Sequence, residues 1–191
     1  PDESGTRIST PDVKEDRNAT GISNIDHITL LTLQGSGMVG IPGFSKKLFG
    51  RLAQDRINII LITQASSEHS ICIAIDQKDV QKAENGINET FAHEIERNQL
   101  DSVLIEENLA IIALVGSRMK HLQGMSGKMF GALGKNNINI RAIAQGASEM
   151  NISAVIDQKD VKKALNTLHE RFFEGDHKQV NLFIAGVGNV G

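Results

Sequence analysis

Apolar positions along this chain repeat with two different periods. Residues 28–33, "INIILIT" (57–63) and "SICIAI" (70–75) are dense β-branched runs of strand length, and "QASSEH" separates the last two. Between the first two runs, Phe44, Leu48 and Leu52 recur at i, i+4 and i+8. That spacing places them on one face of a helix and predicts one near 44–54. "DQKDVQKA" predicts a second helix, with Asp76 or Asp79 as its cap. "LDSVLIEENL" then offers a further strand.

The whole pattern occurs twice. "FGRLAQDRINIILITQASSEHSICIAIDQKDVQKA" from Phe49 is matched by "FGALGKNNINIRAIAQGASEMNISAVIDQKDVKKA" from Phe130, an offset of 81 residues. The offset pairs Asn58 with Asn139, Gln64 with Gln145, Glu68 with Glu149 and Asp76 with Asp157, and no gap is needed. This period is longer than that of solenoid repeats, so each copy is a small domain. The order read twice is β-α-β-β-α-β. It predicts an α+β chain of two tandem ferredoxin-like sandwiches, with antiparallel sheets and helices on one face. Their expected limits are 28–107 and 108–179. The polar stretch 1–27 is expected to be a linker or the end of a preceding domain. Residues 180–191 are expected to begin a third.

That last expectation rests on "LFIAGVGNVG". Gly186, Gly188 and Gly191 have the spacing of the dinucleotide fingerprint after an apolar run. The helix that would hold pyrophosphate lies beyond Gly191, so no nicotinamide cofactor is expected to bind here.

Composition narrows the function. A net charge of −3, the absence of Trp and Tyr, and strands without aromatic residues argue against a nucleic-acid partner. No apolar run is long enough to span a membrane. The single cysteine, Cys72, sits in a strand pattern and reads as a small core residue; it also favours a reducing compartment. Gly127-Lys128 fails as a phosphate loop, because Leu122 stands where the first glycine belongs. The histidines lack metal-ligand spacing. No nucleophile–base pair emerges, so no catalytic residue, metal or cofactor is assigned.

A binding site remains. The helix opening at Gly43–Ser45 offers free N–H groups to a carboxylate. Asn58 begins the next strand and Gln64 ends it, each with an amide that donates and accepts. Together they suit a small zwitterion. Equally, Asn58 and Asn139 can serve only to turn the chain, and Ser67 and Glu68 can be turn residues.

The segments "MVGIPGFSKKLFGRLAQDRINIILITQASSEHSI", "LQGMSGKMFGALGKNNINIRAIAQGASEMNIS" and "VNLFIAGVGNVG" resemble the regulatory region of the bifunctional aspartate kinase–homoserine dehydrogenases. The resemblance covers nearly the whole chain. It implies tandem ACT domains between a kinase and a dehydrogenase, with feedback control by L-threonine and pairing into a homodimer. ATP, magnesium and NAD(P) are implied for the parent enzyme. The parent is expected in the cytoplasm, or in an organelle stroma if it is a plant protein. Carried over by position, the effector contacts are Met38, Ile41, Gly43, Phe44, Ser45, Asn58, Ile59, Ile60, Gln64, Ser67 and Glu68, with Asn139 and Gln145 from the second copy. Relatives that respond to lysine tend to carry an acid where Ile60 stands, which favours threonine. His121, Gln123 and Gly127 replace Gly40, Pro42 and Lys46 in the second loop, so an equivalent second pocket is not implied. The rival reading is a purely structural dimerisation module, or a tether for catalytic domains.

Overall fold

The computed structural model describes residues 19–38, 43–64, 69–116, 119, 122–145 and 150–174. The first unit contains β1 (Gly21–Gln34), α1 (Phe44–Gln54), β2 (Ile59–Gln64), β3 (Ser70–Asp76), α2 (Val80–Thr90) and a short α3 (Ala92–Glu96). The second contains β4 (Leu104–Val115), α4 (Met125–Lys135), β5 (Ile140–Ala144), β6 (Asn151–Asp157) and α5 (Val161–Phe172). The helix expected from Phe44, Leu48 and Leu52 is α1. Leu48 and Leu52 are fully buried, while Phe44 packs against the same core. Asp76, not Asp79, caps the turn before α2, accepting a hydrogen bond from the Lys78 N–H at 3.0 Å.

All six strands form one antiparallel sheet, in the order β2-β3-β1-β4-β6-β5. The two long central strands are shared between the units. The second half of β1 pairs with the first half of β4, for example Thr32 with Leu104. The first half of β1 pairs with the second half of β4, Gly21 with Val115 through Ile25 with Ile111. "LDSVLIEENL" and residues 109–115, expected as separate strands, therefore belong to one strand that does both jobs. Each long strand changes direction at a residue with positive φ, His27 at 56° and Asn108 at 58°, which are equivalent under the repeat.

Residues 21–27 depart from the linker expected there. Only Ile22 and Ile25 are apolar in "GISNIDH", so the segment reads as connecting chain. Its backbone groups nevertheless complete a ladder with β4, and ladder pairing does not depend on side-chain polarity. The place beside 109–115 is thus taken by 21–25. "VNLFIAG" lies outside the described residues, as do Gly186, Gly188 and Gly191.

The helices cover one face over two matched cores. Leu31, Leu33, Leu48, Leu52, Ile71, Ile73, Ile75 and Ile87 form the first. Their equivalents Ile112, Leu114, Met129, Leu133, Ile152, Ala154, Ile156 and Leu168 form the second. A third apolar cluster, Ile28, Leu30, Leu61, Ala74, Leu109, Ile111 and Val155, lies on the helix-free face. The sheet curls around it until the edge strands β2 and β5 touch. Burial on both faces explains why the central strands read as unbroken apolar runs instead of alternating ones.

The turn after β1 is packed tightly against the chain leading into β4. A Cβ on Gly35 would lie 2.3 Å from the Gln99 carbonyl oxygen and 2.7 Å from Leu100 Cα, both rigid backbone. Gly35→Ala should lower the unfolding free energy by about 1–3 kcal/mol, as overpacking does. Gly50→Ala, where the added methyl meets nothing within 4 Å, should be neutral or stabilise by up to about 1 kcal/mol. Urea unfolding of the two variants checks the contrast; equal effects would contradict the packing described.

Candidate functional site

A cleft of about 710 Å³ opens on the helix-free face, between the tips of β2 and β5 and the inner surface of the sheet. Gln64 and Thr63 end β2, and Gln145 follows β5; all three line the cleft. Ser23 and Asn24 enter from β1, and Asn151 and Ser153 from β6. Ile60, Ile62, Ile111, Val115 and Ile143 supply apolar surface. Among the described residues no charged side chain lines it.

Strand directions explain why both glutamines reach one place. β2 runs parallel to β1 and β5 parallel to β4, while β1 and β4 are antiparallel. The edge strands therefore run in opposite directions, and the curl of the sheet brings them together. Equivalent residues of the two units face a shared space across the pseudo-twofold relation. The cleft is thus a property of the pair and not of either unit alone.

The two halves are not identical. Ser126, in the first turn of α4, donates from Oγ to Gln145 Oε1 at 3.0 Å. Their equivalents Ser45 and Gln64 make no such bond among the described residues, leaving the Gln64 amide with both its donors and its acceptor for another partner. Gly43 (φ 96°) and Gly124 (φ 79°) precede α1 and α4 in the left-handed region, and neither helix start has a side-chain cap. The uncapped N–H groups expected at Gly43–Ser45 are therefore present, but Gly43, Phe44 and Ser45 are not among the residues lining the cleft.

The other residues expected at the site are scattered. Met38 is buried in the first core. Phe44 stacks on Phe91, with ring centroids 4.8 Å apart. Ile59 packs toward the helices, whereas Ile60 packs toward the cleft. Asn58 precedes β2, so about 20 Å of strand separates it from Gln64. Asn58 and Asn139 are exposed and do not carry the turn. The positive-φ residues there are Arg56 (57°) and Asn137 (54°). Of the residues expected to touch an effector, the cleft joins Ile60, Gln64 and Gln145; Ile41, Ser67 and Glu68 lie outside the described residues. Sequence reasoning missed Ser23, Asn24, Thr63, Asn151 and Ser153. For all but Thr63, which ends "INIILIT", the signal was small polar residues set among apolar ones in "ISNI" and "NISAV".

Two neighbouring groups fill structural roles. Cys72 packs against the inner cluster, and burial pushes its thiol above the ordinary range, which keeps it protonated and unreactive. Arg141 stands where the first unit has Ile60, and its guanidinium meets Asp157 at 3.2 Å and Glu106 at 3.6 Å.

A family model described as ACT domain matches the chain twice, over residues 31–91 and 112–172. The chain is 37% identical over 192 residues to the chloroplastic bifunctional aspartokinase/homoserine dehydrogenase 2 of Arabidopsis thaliana, covering 98% of this chain and 21% of that protein. It spans about a fifth of the length of the curated relatives it matches. The ligand-free regulatory subunit of aspartate kinase from Thermus thermophilus shares the fold, with a TM-score of 0.69 at 23% identity, over 81% of this chain and 99% of that one. Aspartokinase III of E. coli, in complex with lysine and aspartate, superposes with a TM-score of 0.63 at 28% identity, over 82% of this chain and 34% of that one.

The asymmetry between the glutamines is directly measurable. Ser126→Ala should shift the side-chain amide resonances of Gln145 and leave those of Gln64 in place. Because the bond is exposed, stability should fall by no more than about 1 kcal/mol. Unmoved Gln145 resonances would show that the bond is not formed in solution.

Proposed function

The chain belongs to the ACT-domain family, and from that premise we propose that it is the amino-acid-sensing module of a bifunctional aspartokinase/homoserine dehydrogenase, with L-threonine as its effector. The observation that carries this reading is the cleft holding one glutamine from each unit, with polar but uncharged side chains among its described residues. An α-amino acid is a zwitterion. Amide oxygens accept from its ammonium and amide N–H groups donate to its carboxylate, so Gln64, Gln145, Asn24 and Asn151 supply both needs. The hydroxyl of threonine suits Thr63, Ser23 and Ser153, and its methyl suits the isoleucines. A lysine side chain would bring a second ammonium into a space where no described residue offers a carboxylate to meet it, at a desolvation cost. The E. coli relative, in complex with lysine and aspartate, supports an amino-acid effector for the fold; the residues here select a neutral one.

The module is read as non-catalytic. ATP and magnesium would serve the kinase of the parent enzyme, and NAD(P) its dehydrogenase. Its place is the cytoplasm of a bacterium or the stroma of a plastid. Among the described residues no helix is long and apolar enough to cross a membrane.

Pairing into a homodimer is a second part of the reading, and it rests on the family resemblance.

Calorimetry should give close to one threonine per chain, since the glutamines share one cleft. Threonine should raise the melting temperature by linkage, and lysine at equal concentration should not. Gln64→Ala and Gln145→Ala should each weaken binding roughly ten- to a hundred-fold, the equivalent of about 1–3 kcal/mol for a bound polar group left without its amide partner. Wild-type affinity in both variants would remove the cleft from the effector site and leave dimerisation as the function.

With no titratable side chain among the described lining residues, the threonine affinity should also stay flat between about pH 5 and 8. A tenfold change across that range would place an ionisable group in the site and count against this cleft.

A further inference from the structure

The grooves between the paired long helices are charged differently in the two units. In the first, cations and acids meet each other. Arg51 of α1 donates from Nε to Asp55 and from Nη1 to Glu89, each at 2.7 Å. Lys47, one helical turn earlier, meets Glu94 of α3 at 2.6 Å. A Cβ on Gly86 of α2 would sit 2.5 Å from Asp55 Oδ2 and 2.8 Å from Arg51 Nε, so the groove is filled from within the chain.

The 81-residue offset reverses that balance in the second unit. Asn136 and Gly175 stand in the places of the acids Asp55 and Glu94. Lys135 and Arg171 stand in the places of the neutral Gln54 and Thr90. Ala132 replaces Arg51, and a groove of about 860 Å³ opens between α4 and α5, in the range of roughly 300–1,000 Å³ usual for small-molecule sites. Lys128, Lys135 and Arg171 line it. Neither lysine makes an ion pair among the described residues. Of the acids among the described lining residues, Glu174 meets His169 at 3.1 Å, and Glu170 is left facing the cations. Thr167, in the place of Gly86, is nine-tenths buried yet lines the groove. Its hydroxyl has no hydrogen-bond partner among the described residues. An unpaired buried hydroxyl is costly, and a ligand that meets it removes that cost. Asn136 donates from Nδ2 to the Ala132 carbonyl at 3.0 Å, and its Oδ1 takes no donor among the described residues.

We propose that the α4–α5 groove binds a sugar phosphate, free or as part of a nucleotide. Lys128 is the equivalent of Lys47, which lies over the Phe91 ring in the first unit, and Arg171 precedes the equivalent Phe172. Both cations therefore fall at the end of the groove where α4 begins. Gly124 lines that end, and no side chain caps the helix there. Cations beside uncapped N–H groups suit a phosphate. Further along, Thr167, Asn136 and Glu170 donate and accept as sugar hydroxyls require. Between the two ends Gly127 and Gly131 leave the wall bare, with nothing within 4 Å of where a Cβ would be, so a ring has room to lie against α4. The groove is on the helical face, away from the cleft of Gln64 and Gln145, and does not depend on what that cleft binds.

Amide NMR and calorimetry of the whole chain test this, with ribose 5-phosphate and adenosine monophosphate as probes. Both should give saturable shifts at Gly124, Lys128, Thr167 and Glu170. Tighter binding of the monophosphate identifies a nucleotide as the source, and tighter binding of ribose 5-phosphate a free sugar phosphate. Ribose and inorganic phosphate alone should each bind at least about ten-fold more weakly, since each makes half of the contacts. Lys128→Ala and Asn136→Asp, the second of which restores the first unit's acid, should weaken both probes by about ten-fold, and Thr167→Val by about five-fold. No saturable shifts with either probe would overturn the proposal. So would ribose binding as tightly as its phosphate, or inorganic phosphate binding as tightly as the esters, which would mean an adventitious ion only. Wild-type affinity in both Lys128→Ala and Asn136→Asp would place any binding elsewhere and overturn it as well.

Discussion

The pairing of β1 with β4 is the constraint on which the rest of the structure depends. Each is long enough to serve both units, 14 and 12 residues respectively. Neither unit has a complete sheet without half a strand from the other. Removing one long strand would expose ladder groups in both halves and uncover all three apolar clusters. The tandem repeat is therefore one cooperative sheet carrying two sets of helices. The turn at His27 and Asn108 is where each strand passes from one unit's frame to the other's. There the His27 N–H donates to Gln158 Oε1 at 3.0 Å, a further tie between the units.

Much of this was legible in the sequence, and the parts that were not have identifiable causes. Helical spacing located α1 because Leu48 and Leu52 had to face a core. The 81-residue repeat supplied the order of elements because equivalent strands bury equivalent residues. Residues 21–27 were not legible as strand, since a ladder formed by backbone groups leaves little trace in "GISNIDH". The choice between Asp76 and Asp79 as cap depended on one side-chain orientation. Gln64 and Gln145 could be paired by the offset, but their meeting in one cleft could not be read. It arises from the curl of the sheet and the opposed directions of β2 and β5, which exist only after all six strands are in place. Asn58 and Asn139 show the reverse: matched by the repeat and chemically apt, yet standing at the far end of their strands from the cleft.

Duplication also makes the chain its own control. Where both units keep a buried apolar residue, as at Leu52 and Leu133, the demand is packing. Where they diverge at a position with the same surroundings, the chemistry there has been released from that demand. The α1–α2 groove is closed by Arg51 held between two acids, while the α4–α5 groove has Ala132 in place of that arginine and Asn136 in place of the first acid, and keeps the second as Glu170. Gln145 is held by Ser126, and Gln64 is not held by Ser45. In both comparisons one unit satisfies its polar groups internally and the other leaves them exposed.

These differences give the fold a physical route from ligand to shape. The edge strands β2 and β5 touch but are not laddered together, so the seam between them is the part of the sheet with no backbone hydrogen bonds holding it. A molecule bound between Gln64 and Gln145 bridges that seam and favours whichever curvature lets both amides reach it. Curvature at the edges is tied to the central pair, because β2 reaches β1 through β3, and β5 reaches β4 through β6. A change in the seam must then be taken up where the ladder is already irregular, and the register shifts near Ile25, Ile28 and Leu30 are such a place. The helices ride on the outer face of the same strands, so the α1–α2 and α4–α5 surfaces move with the sheet beneath them. A ligand in the cleft, as proposed above, would thus be felt on the helical face through the shared strands.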